Sequence, residues 1–329
     1  MSAAGEEPTA LHLYDCADVG ATLVQYGRAM GRPWRFLPAR DTSLDNASTM
    51  GSLGRTASIA KWTATRWLKS FDADLLHIHF GTRLDVLAKW PRRPFIVHYH
   101  GTDIRTFYYD PLQRGRIQWG ADNAEVVLYS TPDLKVHAER ARSDAIYLPN
   151  PVNLGELPAW DPNGAPVVVF SSRWDDSKGG QQQLELLSAI RRALGPEVRL
   201  EGLEWGNGAQ EARRRGVELI PRMSKQHYLR WLSKAHCVVG QTSGILAMSE
   251  LQSVAIGVPL VARLEPGFYP DPVPVISAPT TDGLAAEVAS VMQDPVGTAN
   301  VLQGRQWVNE HHSPDAVVNQ LATIYGELA

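Results

Sequence analysis

Short apolar runs alternate along the chain with segments in which apolar residues recur every three or four positions. Runs of the first kind predict β-strands, and segments of the second kind predict helices. In the first half they predict strands at 11–15, 34–37, 75–80, 95–100, 125–130 and 145–148, and helices at 18–31 and 57–71. Because such alternation is typical of parallel sheets with crossover helices, an α/β domain is expected here.

A segment rich in proline, asparagine and glycine interrupts the alternation at 149–166 and reads as an ordered linker. A second series follows, with strands predicted at 167–170, 198–203, 217–220, 236–239, 259–262 and 273–276, and a last helix at 314–328. We therefore predict Rossmann-like domains at 1–150 and 151–312, and a helix at 313–329 that packs back toward the N-terminal domain. A cleft between two such domains is a favoured ligand site.

Composition narrows the class of protein. A chain of 329 residues suits two domains, and a formal net charge of −3 gives no reason to expect a nucleic-acid partner. Cys16 and Cys237 lie far apart and are expected as reduced core thiols. Residues 1–10 are polar and acidic, and no run reaches the length of a membrane span. A cytoplasmic protein is expected.

Two cations follow the predicted strand at 167–170. Arg173 and Lys178 belong to the loop SSRWDDSKGG at 171–180, which leads into a helical pattern. Open α/β sheets bind ligands at the carboxyl ends of their strands. An arginine fork and a lysine point charge on one such loop suit a diphosphate. A solvated loop with two ordinary surface cations is the alternative.

A glycine-rich turn follows the predicted strand at 236–239 and leads into a helix expected to begin near Ile245. A helix N-terminus offers unpaired N–H groups and a positive dipole end, so it would hold the same diphosphate from a second side. Further along this helix, Glu250 or Gln252 could hydrogen-bond a ribose. The alternative for Glu250 is a solvent-facing side chain.

Two histidine pairs lie on neighbouring predicted strands. His77 and His79 share one face of a strand, and His98 and His100 repeat the arrangement. A zinc site of four histidines is one interpretation, but strand-end pairs lack the helical spacing typical of zinc enzymes, so no metal site is expected. We interpret His77 and His98 as core histidines. His100 heads a Gly-Thr-Asp turn, where its imidazole can hydrogen-bond a sugar hydroxyl or a phosphate oxygen.

The order of these motifs resembles that of retaining glycosyltransferases of family four (glycosyl transferases group 1), which have the GT-B fold. The similar segments are HGTD at 100–103, YLPNPVN at 147–153, SR with KG at 172–179, LQSVAIGVP at 251–259 and the tail at 312–325. Alignment on Gly257 places Gln252 and Gly244 where the family has its two glutamates, which bind the ribose and the donor sugar. The turn DVGA at 18–21 stands where the family has two glycines.

This resemblance implies a fold and a reaction. The fold is α/β, with two doubly wound parallel-sheet domains facing a central cleft, the first binding the acceptor and the second the nucleotide sugar. The reaction is a metal-independent, retaining hexosyl transfer from a nucleotide diphosphate sugar to an acceptor hydroxyl, with no cofactor besides the substrate and with UDP favoured over GDP. The donor phosphate itself would help to deprotonate the acceptor.

The resemblance also assigns residues. His100, Arg173 and Lys178 would act in catalysis, and His79 and Arg83 would contact a small-molecule or lipid-linked acceptor. The expected donor-binding set is Gly20, Asp103, Ser172, Arg222, Met223, Gly244, Ile245, Leu246, Ala247, Met248, Glu250 and Gln252.

Three alternatives remain open. A binding or regulatory protein could keep this fold without catalysis, and the missing glutamate pair would fit that class. An epimerase or a phosphorylase could use the same fold. The helix at 57–71 carries basic residues and tryptophans, so it could dock peripherally on anionic lipid, or it could be an ordinary amphipathic crossover helix.

Overall fold

The computed structural model describes residues 7–40, 52–87 and 90–328. The acidic start of the chain, residues 1–6, therefore lies outside the described residues. The chain forms two compact units: the first ends at Pro151 and includes the C-terminal segment from Pro314, and the second is Val152–Ser313.

The first unit contains a six-stranded, fully parallel sheet in the order β2-β1-β3-β4-β5-β6. Its strands are β1 (Ala10–Leu13), β2 (Arg35–Leu37), β3 (Leu75–His79), β4 (Phe95–Tyr99), β5 (Val126–Tyr129) and β6 (Ile146–Tyr147). Its helices are α1 (Val19–Ala29), α2 (Ser52–Phe71), α3 (Thr102–Arg105), α4 (Pro111–Asn123) and α5 (Lys135–Ala141).

The register of this sheet separates two kinds of side chain. His12 pairs with His77, and His79 pairs with His98. Because side chains alternate along a strand, these histidines lie on one face of the sheet. The residues between them form the apolar core on the other face: Leu11, Leu13, Leu76, Ile78, Val97 and Tyr99. One face of the central strands is therefore apolar, and the other is lined with buried imidazoles.

The second unit contains a five-stranded parallel sheet in the order β11-β10-β7-β8-β9. Its strands are β7 (Val167–Phe170), β8 (Arg199–Leu203), β9 (Glu218–Ile220), β10 (Cys237–Val239) and β11 (Leu260–Val261). Its helices are α6 (Gly180–Leu194), α7 (Ala209–Arg214), α8 (Lys225–Leu232), α9 (Met248–Ile256), α10 (Thr281–Val291), α11 (Pro295–Leu302) and α12 (Gly304–His312).

Strand β7 shows why the sequence of a central strand in this sheet is a continuous apolar run. Val168 and Phe170 pack into the core under α6 and α10, whereas Val167 and Val169 pack into the core under α9 and α12. Both faces are buried, as is usual for parallel sheets with helices on each side. The prediction of two doubly wound parallel-sheet domains is confirmed.

One predicted strand is wrong. Segment 273–276 contributes only an isolated bridge between Val261 and Ile276. Pro272 directly precedes the segment and Pro274 interrupts it, and proline has no N–H to donate to a ladder.

The last helix, α13 (Pro314–Gly326), belongs to the first unit and packs against α1. The Gln320 amide donates to the Tyr147 carbonyl at 2.9 Å, and Tyr325 is fully buried. Within the described ranges, no helix has both the length and the apolar character needed to cross a bilayer.

An exposed aromatic cluster lies at the end of α2. It consists of Trp67, Phe71 and Trp90, whose ring centroids are 4.7–6.1 Å apart. Arg93 donates to the Phe71 carbonyl at 2.7 Å, so a cation borders this apolar surface.

Candidate functional site

The loops that follow β7 and β10 lie side by side at the topological switch point of the second sheet. Strand β7 has β8 on one side and β10 on the other, so the chain connections leave these strands in opposite directions. Open α/β sheets bind ligands in the crevice beyond such a point. The N–H of Thr242 in the β10 loop donates to the carbonyl of Lys178 in the β7 loop at 3.3 Å. The structure therefore brings together the two predicted anion-binding segments.

Gly179 is the residue that permits this approach. Its φ is +113°, and a Cβ built on it would lie 1.8 Å from Oγ1 of Thr242. That hydroxyl is buried and has no hydrogen-bond partner within the part of the chain that the structure describes. The contact between the loops thus needs a glycine, and it leaves the Thr242 hydroxyl unsatisfied beside Gly179.

Arg173 is held by its own loop. Its Nε lies 2.6 Å from Oδ2 of Asp175, and its Nη2 donates to Oγ of Ser177 at 3.3 Å. The side chain is about a third exposed. A diphosphate bound here would have to compete with the Asp175 carboxylate for this guanidinium. Lys178 is half-buried at the end of the short 3-10 turn Asp176–Lys178.

Trp205 was missed by the sequence analysis. The guanidinium carbons of Arg173 and Arg222 lie 5.4 and 4.3 Å from the centroid of its ring. The two arginines come from the loops after β7 and β9, and Trp205 follows β8, so three neighbouring strand ends meet at this ring. Met223 is half-buried in the same β9 loop. The only feature of the sequence that could have marked Trp205 as a site residue is its position after the carboxyl end of a strand.

The helix after β10 begins later than expected. Helix α9 starts at Met248 and not near Ile245. Gly244 has a φ of +86°, and Ala247 is extended. The N–H of Leu246 donates to the Tyr269 hydroxyl at 2.8 Å, and the N–H of Ala247 donates to Glu250 at 3.1 Å. The amides expected to be unpaired at 246 and 247 are therefore already used.

Glu250 ties the two loops together. Its Oε1 accepts from the Ser172 hydroxyl at 2.9 Å and from the Gln241 N–H at 3.1 Å. Its Oε2 accepts from the Ala247 N–H at 3.1 Å and the Ser249 hydroxyl at 2.8 Å. A carboxylate has about four acceptor positions. Glu250 is fully buried, so it does not face solvent, and no acceptor position is left for a ribose.

Gln252 has the opposite character. Its side chain is 8 % exposed, and its amide makes no hydrogen bond to any residue that the structure describes. It therefore keeps both its donor and its acceptor for a ligand. The ribose assignment of Gln252 stays a prediction. Its amide is unpaired among the described residues, whereas the Glu250 carboxylate already accepts four hydrogen bonds.

In the first unit, five histidines and a tyrosine are joined in one file of hydrogen bonds. His98 Nδ1 lies 3.2 Å from His77 Nε2, and His77 Nδ1 lies 2.6 Å from the Tyr325 hydroxyl. That hydroxyl lies 3.0 Å from His12 Nε2. The file continues from His12 Nδ1 to His79 Nε2 at 3.1 Å and from His79 Nδ1 to His100 Nε2 at 3.0 Å. We call these six residues the histidine relay.

The relay consists of neutral imidazoles at neutral pH. Burial lowers the pKa of His12 and of His100 to about 3. Burial, followed by the charges of neighbouring histidines, holds the pKa of His77, His79 and His98 well below the usual value. Core positions for His77 and His98 agree with the interpretation above, whereas the roles of His12 and Tyr325 were missed.

Two groups of three histidines in the relay could hold a metal ion. Each group, His12 with His77 and His79 or His79 with His98 and His100, brings ligand nitrogens within 4.8 Å of one another. Both groups need His79, whose two nitrogens are already hydrogen-bonded. Hydrogen bonding between neutral rings thus accounts for the geometry of the cluster, and the expectation of no metal site stays a prediction.

The remaining predicted residues of this unit are Gly20, His79, Arg83 and Asp103. A Cβ on Gly20 would lie 2.9 Å from His79 Nε2, so the start of α1 packs directly on that ring. His79 has no unused nitrogen for an acceptor, whereas Arg83 is exposed. Asp103 is fully buried. Its carboxylate accepts backbone N–H groups from Gly81, His100, Gly101 and Ile104, so it shapes the turn that carries His100. Burial raises the pKa of Asp103.

Solved structures share this architecture over nearly the whole chain. HepE from Anabaena, in complex with UDP-glucose, matches with a TM-score of 0.71 at 14% identity, covering 97% of this chain and 99% of that one. This chain has the GT-B fold. Sucrose-phosphate synthase from Thermosynechococcus elongatus matches with a TM-score of 0.68 at 16% identity, covering 97% of this chain and 99% of that one.

A putative UDP-N-acetylglucosamine 2-epimerase from Listeria monocytogenes is also similar, with a TM-score of 0.60 at 12% identity over 98% of this chain and 97% of that one. No protein-family model matches the chain, and no curated protein matches it in sequence. At such low identities, likeness establishes the fold and leaves the activity to be argued from the site.

Proposed function

We propose that this protein transfers a sugar from a nucleotide diphosphate sugar to an acceptor hydroxyl. The observation that carries the proposal is the contact between the β7 loop, with Arg173 and Lys178, and the β10 loop at the switch point of the second sheet. Two cations at this position suit a diphosphate. HepE in complex with UDP and with UDP-glucose supports a nucleotide-sugar donor, and we favour a UDP-sugar.

The proposed chemistry is the neutralisation of a leaving diphosphate. Arg173 would exchange the Asp175 carboxylate for a phosphate oxygen, and Lys178 would add a second positive charge. Fixed charges aimed at developing negative charge are usually the largest catalytic contribution. Because these cations belong to the protein, we propose transfer without a metal. Retention of configuration and a hexosyl group are proposed from the sequence resemblance.

His100 and Gln252 would position the donor. The low pKa of His100 makes its imidazole a neutral hydrogen-bonding group, so it would orient a donor oxygen and would not act as a charged acid. The Gln252 amide would pair with the ribose. If so, Gln252→Glu should tighten donor binding, because a carboxylate makes stronger, charge-assisted bonds to a diol. Calorimetric titration with UDP-glucose measures this, and equal or weaker binding would count against the ribose assignment.

The proposal is tested with charge deletions and a matched control. UDP-, GDP-, dTDP- and ADP-sugars are first compared by thermal shift, because a ligand of the folded state raises the melting temperature. Turnover of the selected donor is then measured as hydrolysis or as transfer. We expect Arg173→Ala and Lys178→Ala each to lower it by more than about tenfold. Arg192→Ala is the control, since it removes an exposed arginine of α6 about 18 Å along the helix from Gly180.

The outcomes separate the functional classes. Wild-type kinetics in both loop variants would refute the diphosphate assignment. Donor binding with neither hydrolysis nor transfer by the wild type would identify a binding or regulatory protein. Release of an epimerised nucleotide sugar would identify an epimerase.

A further inference from the structure

The histidine relay has a direction, which follows from counting protons. A neutral imidazole carries one N–H and one unprotonated nitrogen. His77, His12 and His79 each use both nitrogens within the relay, so each must donate through one and accept through the other. The Tyr325 hydroxyl has one proton and two histidine neighbours, so it donates to one of them and accepts from the other. All links therefore point the same way, and only two arrangements exist.

The two arrangements differ at the ends of the relay. If the links point toward His100, then His98 Nε2 is unprotonated and His100 carries its proton on Nδ1. If they point toward His98, then His98 Nε2 carries a proton and His100 Nδ1 is bare. His98 Nε2 is buried with no partner among the described residues. A buried N–H without a hydrogen-bond partner is rarer in proteins than a buried acceptor without one. The first arrangement, with His98 Nε2 unprotonated, is therefore favoured.

The outer end of the relay, at His100, is its least buried part. His100 is the one relay member that is not fully buried. Its Nδ1 has no hydrogen-bond partner among the residues described by the structure and is not among their buried, unsatisfied atoms. The proton that the relay places on Nδ1 is therefore available to a bound molecule.

We propose that the relay fixes the tautomer of His100, so that Nδ1–H is presented as a donor to an oxygen lone pair of the ligand, and that Tyr325 is the positioning residue that keeps the links aligned. The proposal rests on the proposed function only for the identity of that ligand, a sugar hydroxyl or phosphate oxygen of the donor. It links Tyr325 of the C-terminal helix to His100 after β4 through two intervening side chains, His12 and His79. An unprotonated Nδ1 would instead be an acceptor. It would present its lone pair to the same ligand oxygen and would favour that oxygen only as a hydroxyl that donates its proton.

The first test needs no variant. Protein labelled with ¹⁵N-histidine is studied by long-range ¹H–¹⁵N correlation, which distinguishes protonated from unprotonated ring nitrogens, and His100→Gln identifies the resonance. We expect His100 to be protonated on Nδ1 and bare on Nε2. A proton on Nε2 of His100 would overturn the proposal. Stoichiometric metal in the purified protein, with metal-shifted ring nitrogens in the relay, would overturn it as well.

The second test separates positioning from a merely structural role. Tyr325→Phe removes the central link, and Tyr109→Phe is the matched control because Tyr109 Oη also bonds a histidine, His137 Nδ1, at 2.7 Å outside the relay. In Tyr325→Phe we expect mixed tautomers at His100 and a kcat for the selected donor about tenfold lower. A wild-type tautomer at His100 in this variant would refute the role of Tyr325. Because the spectra do not depend on turnover, an inactive wild type would sink the proposed function and leave the relay assignment standing.

Discussion

Acid should destabilise the first unit before the second. In the unfolded chain a histidine titrates near pH 6.5, whereas burial lowers the pKa of His12 and His100 to about 3 in the folded state. Below pH 6.5 the unfolded state therefore binds more protons, and stability is lost as the pH falls. At pH 5.0 each of these two histidines contributes a loss of about 2 kcal/mol. The other three relay histidines change stability in the same direction.

The carboxylates of this unit oppose the effect. Burial raises the pKa of Asp15 to about 6, so the folded state takes up this proton first and regains about 1 kcal/mol at pH 5.0. Burial raises the pKa of Asp103 as well, and its contribution has the same sign as that of Asp15. From His12, His100 and Asp15, a net loss of about 3 kcal/mol is expected between pH 7.5 and 5.0. That is a large fraction of an ordinary domain's stability, which is about 5–15 kcal/mol.

Hydrogen exchange read by mass spectrometry measures this loss within one molecule. Peptides from β3 and β4 report on the first unit, and peptides from β7 and β10 provide the internal control. After correction for the intrinsic exchange rate, protection should fall by about two powers of ten in the first pair and much less in the second. Equal changes in both sheets would refute the reasoning. So would relay imidazoles that titrate near pH 6.5 in the folded protein.

Three further outcomes are expected. Gly179→Ala should weaken UDP binding, measured by calorimetry, at least about tenfold. Gly164→Ala is the control, because Gly164 has a φ of +111°, close to the +113° of Gly179, but no atom lies within 4 Å of the added Cβ. Equal UDP affinities of the two variants would contradict the loop contact. Glu250→Gln should lower the free energy of unfolding by about 2–4 kcal/mol in urea, because an amide cannot accept four donors, and an unchanged midpoint would oppose this. Trp90→Ser in the aromatic cluster should reduce sedimentation with phosphatidylglycerol vesicles, whereas Trp119→Ser, also at an exposed tryptophan, should not; equal retention would leave α2 as an ordinary crossover helix.

Periodicity predicted the buried parallel strands well, because their signal is local. Strand β7 is four residues of valine and phenylalanine that are buried on both faces. Segment 273–276 has similar apolar residues, but its prolines decide the outcome. The start of α9 depends on the Tyr269 hydroxyl, which takes the N–H of Leu246 from 23 residues away. A helical pattern carries no information about such a tertiary competitor.

The candidate site was predictable where motifs lie on strand ends and not where distant segments meet. Arg173 and Lys178 were found because a loop after a strand is a ligand position in this class of sheet. Tyr325 could not be found in this way, since it is 313 residues from His12 and its partners are set by how α13 packs. Sequence patterns show which face a side chain shares, and they do not show which remote hydroxyl reaches that face.

The absence of a glutamate pair has a physical counterpart in the β10 loop. The backbone at Gly244 has a φ of +86°, where any larger side chain is strained, so a glutamate at this position would require a different loop. Glu250 is the carboxylate nearest to Gly244 in the loop and helix, and it already accepts hydrogen bonds from four donors of the protein. This loop and helix still offer a ligand the Thr242 hydroxyl, the Gln241 amide oxygen and the Gln252 amide, all of them uncharged. Binding in the second unit must then draw on Arg173 and Lys178 for its electrostatic part, and it should discriminate the charge of the diphosphate more strongly than the hydroxyl pattern of the sugar.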